Sequence, residues 1–237
     1  MRPWSSIPIH ESNEDLRSLP HEFLRLEPHP YASAGAPYGA DADPFRLRSG
    51  VLERLRRAQN LLIQREPLLR LAIFDAWRPI AVQAFMVEYT IETLCLERGI
   101  NREDPNQRSA VEEVFTEVGR FWAPPSRDPA MPPPHSTGAA VDLTLANGAN
   151  GRPLNMGGAI DEIGAVSEPD HFATASVSEQ QIFHQRRRLL RNVMEASGFE
   201  QHPNEWWHYS HGDQLWAWRS GASIAIYAEA PINSATA

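Results

Sequence analysis

Three short stretches of this chain carry side chains whose types and spacing suit chemistry at a metal. The first, PPPHSTGAAVDLTL at residues 132–145, sets His135 on a loop and Asp142 inside an apolar, strand-like run. A charged side chain among β-formers is costly unless something pairs with it. Zinc accepts imidazole nitrogen and carboxylate oxygen, and a catalytic zinc takes three protein ligands with a position left for water. A loop histidine and an aspartate on the next strand can converge on such a point. The plainer alternative is a solvated His135 and an Asp142 that caps a turn or pairs with an arginine.

The second stretch, NEWWHYS at residues 204–210, places Glu205 and His208 around two tryptophans. A glutamate there suits proton acceptance from an activated water, and the histidine suits a third ligand position. Three residues apart on a regular strand, the two side chains would point to opposite faces. Such a site therefore requires a bend or a strand start between them. The alternative is a pair of core aromatics flanked by surface polar groups. The third stretch, FDAWRP at residues 74–79, carries Asp75 and Arg78 at a strand-to-helix junction. A guanidinium there suits a developing oxyanion or a substrate carbonyl, and the alternative is a purely structural Asp75–Arg78 pair. Taken together, two histidines and an aspartate make a ligand set, a glutamate makes a base and an arginine makes an electrophile. That is the equipment of metal-assisted amide hydrolysis.

Other chemistries lack their residues. His21-Glu22 begins an H-E-x-x-H pattern, but Arg25 ends it, and there is no G-x-S-x-G, C-x-x-C or G-x-G-x-x-G. The chain has no lysine, so neither a Schiff-base lysine nor a phosphate-binding P-loop lysine is available. A formal net charge of -8 argues against broad nucleic-acid or anionic-membrane partners. Cys95 is the single cysteine, which suits a reducing compartment. The start, MRPWSSIPIHESNEDL, lacks the apolar core of a signal peptide, and no run is long enough to span a bilayer. The expected location is cytoplasmic. His171, His202 and His211 are read as structural or solvated.

The elements that must position these groups follow from periodicity. The 237 residues suit one domain, with residues 1–45 wrapping its surface apart from a short strand near FLRLEP. Val51, Leu52, Leu55, Ala58 and Leu62 share one face of a helix over residues 47–64. LLRLAIFDAW reads as a buried strand, Pro79 opens a second helix and Gly99 stops it. A shorter helix covers residues 107–122, AAVDLTL is a strand, and the turn-rich NGANGRPLNMGG suits a link between two strands. A long helix over residues 178–199 has Ser178 as its expected N-cap and Gly198 at its end. EWWHYS and SIAIYAE read as two late strands, and residues 229–237 as a frayed tail. Strands and helices do not alternate in a βαβ series. The expected class is therefore α+β, a single domain with helices packed on one side of a mainly antiparallel or mixed sheet.

The motifs resemble those of the D-alanyl-D-alanine dipeptidase family, zinc peptidases of the LAS type, over residues 26–209. PPHSTGAAVD is similar to the family's S-x-H-x-x-G-x-A-x-D signature except at its first position, EWWH to its E-x-W-H, DAWRP to its D-x-(Y/W)-R-P, and NMGGAID to its M-G-x-x-F-D. The resemblance implies one Zn2+ per chain held by His135, Asp142 and His208, with Glu205 as base and Arg78 as transition-state arginine. It also implies Asp161 as the partner of a substrate ammonium, and a D-Ala-D-Ala-type dipeptide as substrate. It delimits an N-terminal extension over residues 1–25 and a dipeptidase domain over 26–228. Trp206 and Trp207 are expected to orient Glu205 and His208 by packing. Three departures stand out: Pro133 in place of a serine, Thr137 where arginine is common, and Ser167-Glu168 in place of serine-histidine. They bear on substrate preference, so a D,D-carboxypeptidase or a dipeptidase for other D- or mixed dipeptides is the alternative. A non-catalytic, zinc-stabilised binding module is the alternative from another class.

Overall fold

The computed structural model describes residues 2–39 and 43–231. In chain order its elements are β1 (Leu16–Ser18), β2 (Leu24–Arg25), α1 (Pro30–Ser33), β3 (Arg46–Arg48), α2 (Ser49–Arg65), β4 (Leu69–Asp75), α3 (Ile80–Glu97), α4 (Arg108–Phe121), β5 (Ala140–Asn147), α5 (Ser178–Glu195), β6 (Glu200–Gln201), β7 (His208–Ser210) and α6 (Gln214–Ser220). β2, β4, β5, β7 and β6 form a sheet in that spatial order, while β1 and β3 form a separate pair. Only the β2–β4 pairing of the larger sheet is parallel. This is the α+β, mixed-sheet class expected from the sequence. No helix among the described residues is long and apolar enough to cross a membrane.

Alternation along β5 divides the molecule. Val141, Leu143 and Leu145 join Leu71 and Ile73 of β4 in the main core, under the apolar faces of α2 and α5. The α2 face is the one its spacing demands: Val51, Leu52, Leu55, Ala58 and Leu62 are all buried. Asp142 and Thr144, one residue out of phase, project from the other side of the sheet. A second apolar cluster on that side joins α3 and α4 to Tyr31, Phe74 and Trp122.

A register shift between Ile73 and Asp75 brings a second carboxylate to that side of the sheet. Ile73 pairs with Leu143, but Asp75 pairs with Asp142, so one extra residue is inserted in β4. Regular alternation would send Asp75 into the apolar core with Leu71 and Ile73. The bulge turns it to the face that Asp142 occupies.

Several elements differ from the sequence expectation. SIAIYAE forms no strand; it makes an isolated parallel bridge between Ile9 and Ala225. Its amides bond instead to Pro8 O and Gly212 O, and Pro8 has no N–H with which to extend a ladder. EWWHYS becomes a strand only at His208, because the Trp206 amide is taken by Ser167 O at 2.9 Å. Val177, not Ser178, stands at the cap of α5, and Ser178 is already helical. NGANGRPLNMGG turns back on β5 through a single bridge, Ala146 to Pro153. β1, β3, β6 and α6 were too short to show a period. Of the expected frayed tail, residues 232–237 lie outside the described residues.

The loop that carries His135 is rigid for local reasons. Pro133 and Pro134 preset the entry to a 3-10 turn over Pro134–Thr137, and Gly138 ends it in the left-handed region at φ 72. Thr137 Oγ1 donates to Pro134 O at 2.6 Å and accepts from Ala139 N at 3.1 Å. A Cβ on Gly138 would collide with Leu16 Cδ2. Gly138→Ala is therefore expected to cost about 1–2 kcal/mol, a fall in Tm of about 3–6 °C, mainly from left-handed strain, since the tip of Leu16 can shift aside. Calorimetric melting checks this, and an unchanged Tm would contradict it.

Candidate metal centre and catalytic pocket

Asp142 and His208 are directly opposed on β5 and β7, so their side chains share one face. The 3-10 turn brings His135 to the same point. His135 Nε2 lies 3.2 Å from His208 Nδ1 and 3.2 Å from Asp142 Oδ2, and His208 Nδ1 lies 3.0 Å from Asp142 Oδ1. All three residues are buried.

The donor set fits a zinc ion. Four donors about 2.1 Å from a tetrahedral zinc stand roughly 3.4 Å apart, a little wider than the separations here. His135 Nδ1 is 2.6 Å from Ala76 O, which fixes the proton on Nδ1 and turns the Nε2 lone pair toward the other two donors. Asp142 Oδ1 accepts no hydrogen bond despite its buried position beside His208. Two imidazoles and one carboxylate are also the donor types that a catalytic zinc takes.

Glu205 stands beside this triangle, its Oε2 3.6 Å from His208 Nδ1. The conflict between strand alternation and a shared site is resolved because β7 begins at His208 and Glu205 sits in the bend before it. Burial, followed by the nearby Asp142 charge, pushes the Glu205 carboxyl well above its ordinary range.

Arg78 is fixed from several directions. Asp75 Oδ2 accepts from its Nε and Nη2 at 3.1 and 2.7 Å, and Gln83 Oε1 accepts from Nη1 at 2.8 Å. Its guanidinium lies between the rings of Tyr31 and Trp122, 4.8 and 4.9 Å from their centroids. Its Nη2 also stands 3.5 Å from Asp142 Oδ2. Asp75 is held in turn by His29 Nε2 at 3.0 Å and the Tyr38 hydroxyl at 3.1 Å. Burial would raise the Asp75 carboxyl, but Arg78 and the His29 hydrogen bond outweigh it and hold the group below its usual value. The Asp75–Arg78 pair is thus structural, and Arg78 alone of the two lines the pocket.

Asp161 lines the same cavity. It accepts from the Tyr31 hydroxyl at 2.7 Å, and its backbone sits in the left-handed region at φ 65, which aspartate tolerates better than most residues. Burial, with Asp142 adding to it, pushes its carboxyl up to about 7.

The cavity thus gathers all six sequence-derived candidates: His135, Asp142, His208, Glu205, Arg78 and Asp161. It also holds residues that sequence reasoning missed. His202, expected to be structural or solvated, is buried in the cavity wall with Nδ1 3.4 Å from Glu205 Oε1. Burial, with the Arg2 charge adding to it, holds its pKa well below the ordinary histidine value. Arg2 and Gln83 also line the wall, and Tyr31 reaches it through Arg78 and Asp161. Trp206 packs beneath the Arg187 guanidinium, whereas Trp207 lines the cavity itself. His211 is buried too, but against Gly198 O at 2.7 Å, away from the triangle.

An α+β scaffold presenting a buried His-Asp-His triangle beside a carboxylate and a clamped arginine has the make-up of a metallohydrolase. Comparison with known proteins narrows the class. The family model for D-ala-D-ala dipeptidase, peptidase M15, matches residues 25–226. A D-alanyl-D-alanine dipeptidase of Synechocystis sp. is 42% identical over 228 residues, 92% of this chain and 90% of that protein. One from Enterococcus faecium is 43% identical over 75 residues, 32% of this chain and 35% of that protein. Among solved structures, VanYB in complex with D-Alanine-D-Alanine aligns with 13% identity and a TM-score of 0.48, covering 92% of this chain and 93% of that one. The chain belongs to the peptidase M15 D-ala-D-ala dipeptidase family.

Proposed function

We propose that the protein hydrolyses a D-Ala-D-Ala-type dipeptide with the help of one zinc ion held by His135, Asp142 and His208. The observation that carries this reading is the convergence of three donor groups beside Glu205: His135 Nε2 and His208 Nδ1 stand 3.2 Å apart, and each lies 3.0–3.2 Å from a different oxygen of Asp142. Family membership and the name of the Synechocystis relative support the substrate class. Zinc bound there would supply Lewis acidity, polarising the scissile carbonyl and lowering the pKa of an attacking water toward neutrality.

The chain's own groups do the rest. Glu205 takes the proton of the attacking water and returns it to the departing amine. Arg78, immobilised by Asp75 and Gln83, meets the oxyanion as it develops, and its rigidity spares reorganisation at that moment. Asp161, held by Tyr31, binds the substrate's ammonium. A half-buried carboxylate at that position favours a short substrate with a free amino terminus over an internal peptide bond.

The direct test is a panel of D,D-, L,L- and mixed dipeptides and a D-Ala-D-Ala-terminated pentapeptide, assayed with stoichiometric zinc. Cleavage of D-Ala-D-Ala with almost none of the pentapeptide is expected. Rapid pentapeptide cleavage would select the carboxypeptidase alternative, and no hydrolysis of any D,D-dipeptide would overturn the proposal. Asp161→Asn should raise KM for D-Ala-D-Ala by about 10-fold or more with a smaller change in kcat. Steady-state kinetics would count against the ammonium role if KM were unchanged.

A further inference from the structure

The cavity contains two arginines, and their surroundings differ. Arg78 is matched by Asp75 and lies near Asp142. Arg2 reaches the cavity from the far N-terminal segment, and among the described residues it forms no ion pair. Its polar contacts are long and to uncharged partners: Nη1 to His202 Nε2 at 3.4 Å, and Nη2 to Gly119 O at 3.3 Å and Phe121 O at 3.5 Å. A guanidinium has five donors in a planar fork suited to a carboxylate, and these three long contacts leave the fork without a charged partner.

The segment that delivers Arg2 is fastened. Trp4 is buried, edge-on to His202 and against Trp218 of α6, with the Arg2 guanidinium 5.4 Å from its ring. Gln214 of α6 donates to Ile7 O at 2.6 Å. Glu205 acts on this guanidinium electrostatically but forms no ion pair with it, so the cation is ordered at the mouth of the cavity with no directly bonded counter-charge in the free protein. An anionic ligand group would supply that charge.

A dipeptide zwitterion has one such group. The proposed mechanism engages its ammonium through Asp161 and its central carbonyl through Arg78, and leaves its carboxylate unmatched. Pro133, standing where the family resemblance expects a serine, offers neither a hydroxyl nor an N–H. We propose that Arg2 binds the C-terminal carboxylate of the substrate. This rests on the dipeptidase reading and deepens it. Asp161 and Arg2, lining one cavity, would read both charged ends of the ligand and so measure its length.

A competing role is open to test, because Arg2 also acts electrostatically on Glu205. D-Ala-D-Ala and its C-terminal amide separate the two. Both are to be assayed with untagged, zinc-loaded wild type, Arg2→Gln and Arg2→Lys. Both ligands are also to be titrated by calorimetry in a Glu205→Gln background, where turnover is off. The amide should show a KM about 30-fold higher than the acid with wild type. Arg2→Gln should raise KM for the acid by a similar factor, leave the amide within about 3-fold, and keep kcat and zinc content near wild type; Arg2→Lys should recover part of the loss. Equal losses on acid and amide, or a fall in kcat at constant KM, would overturn the assignment. A wild type that hydrolyses neither ligand overturns the dipeptidase reading, and calorimetry then decides Arg2 alone: preference for the acid that vanishes in Arg2→Gln upholds it, and no preference refutes it.

Discussion

Glu205→Ala should reduce kcat for D-Ala-D-Ala by about 10³-fold, the scale of a lost general base, while bound zinc stays near stoichiometric. The two expectations belong together. Glu205 lies 3.6 Å from His208 Nδ1 but is not one of the three donor residues. Removing its carboxylate should take away the proton acceptor and leave the metal donors in place. His202 and Arg2 remain around the vacated position, and neither substitutes well: His202 is held neutral by burial and Arg2 accepts no proton. A variant that kept most of its turnover would place the base elsewhere. One that lost zinc along with activity would make Glu205 a ligand.

Arg78→Ala should have the second largest effect, and on two quantities. If the guanidinium acts mainly on the developing oxyanion, kcat falls about 10²–10³-fold and KM changes less. Stability should also fall, by about 3 kcal/mol, because a fully buried Asp75 loses its main counter-charge. His29 and Tyr38 still hydrogen-bond that carboxylate and limit the damage. Arg78→Lys restores a charge but not the planar fork that spans Asp75 and Gln83, so it should recover stability more than rate. Kinetics paired with denaturant unfolding separates the two effects. A change in KM alone would mean that Arg78 binds the ground state.

The residues legible in the sequence were those whose local pattern already states their task. Val51, Leu52, Leu55, Ala58 and Leu62 announce the buried face of α2, and the alternation of β5 announces which side Asp142 must leave by. His135 is marked by the prolines before it and by Gly138 after it. What stayed hidden depends on contacts between distant parts of the chain. Arg2 and His202 are 200 residues apart and meet only in the folded molecule. Nothing in the alternation of FDAW reveals the bulge that turns Asp75 out of the core, because a bulge breaks the period on which the reading depends. SIAIYAE has the pattern of a strand but lacks a partner able to complete its ladder.

The claim on which the mechanism rests is that His135, Asp142 and His208 hold a single ion between them. Elemental analysis of zinc after exhaustive dialysis, on wild type and on a His208→Ala protein shown by circular dichroism to be folded, tests it most directly. About one zinc per chain is expected in the wild type and almost none in the variant. A folded variant that kept its full zinc content, or a wild type that bound none, would contradict the account.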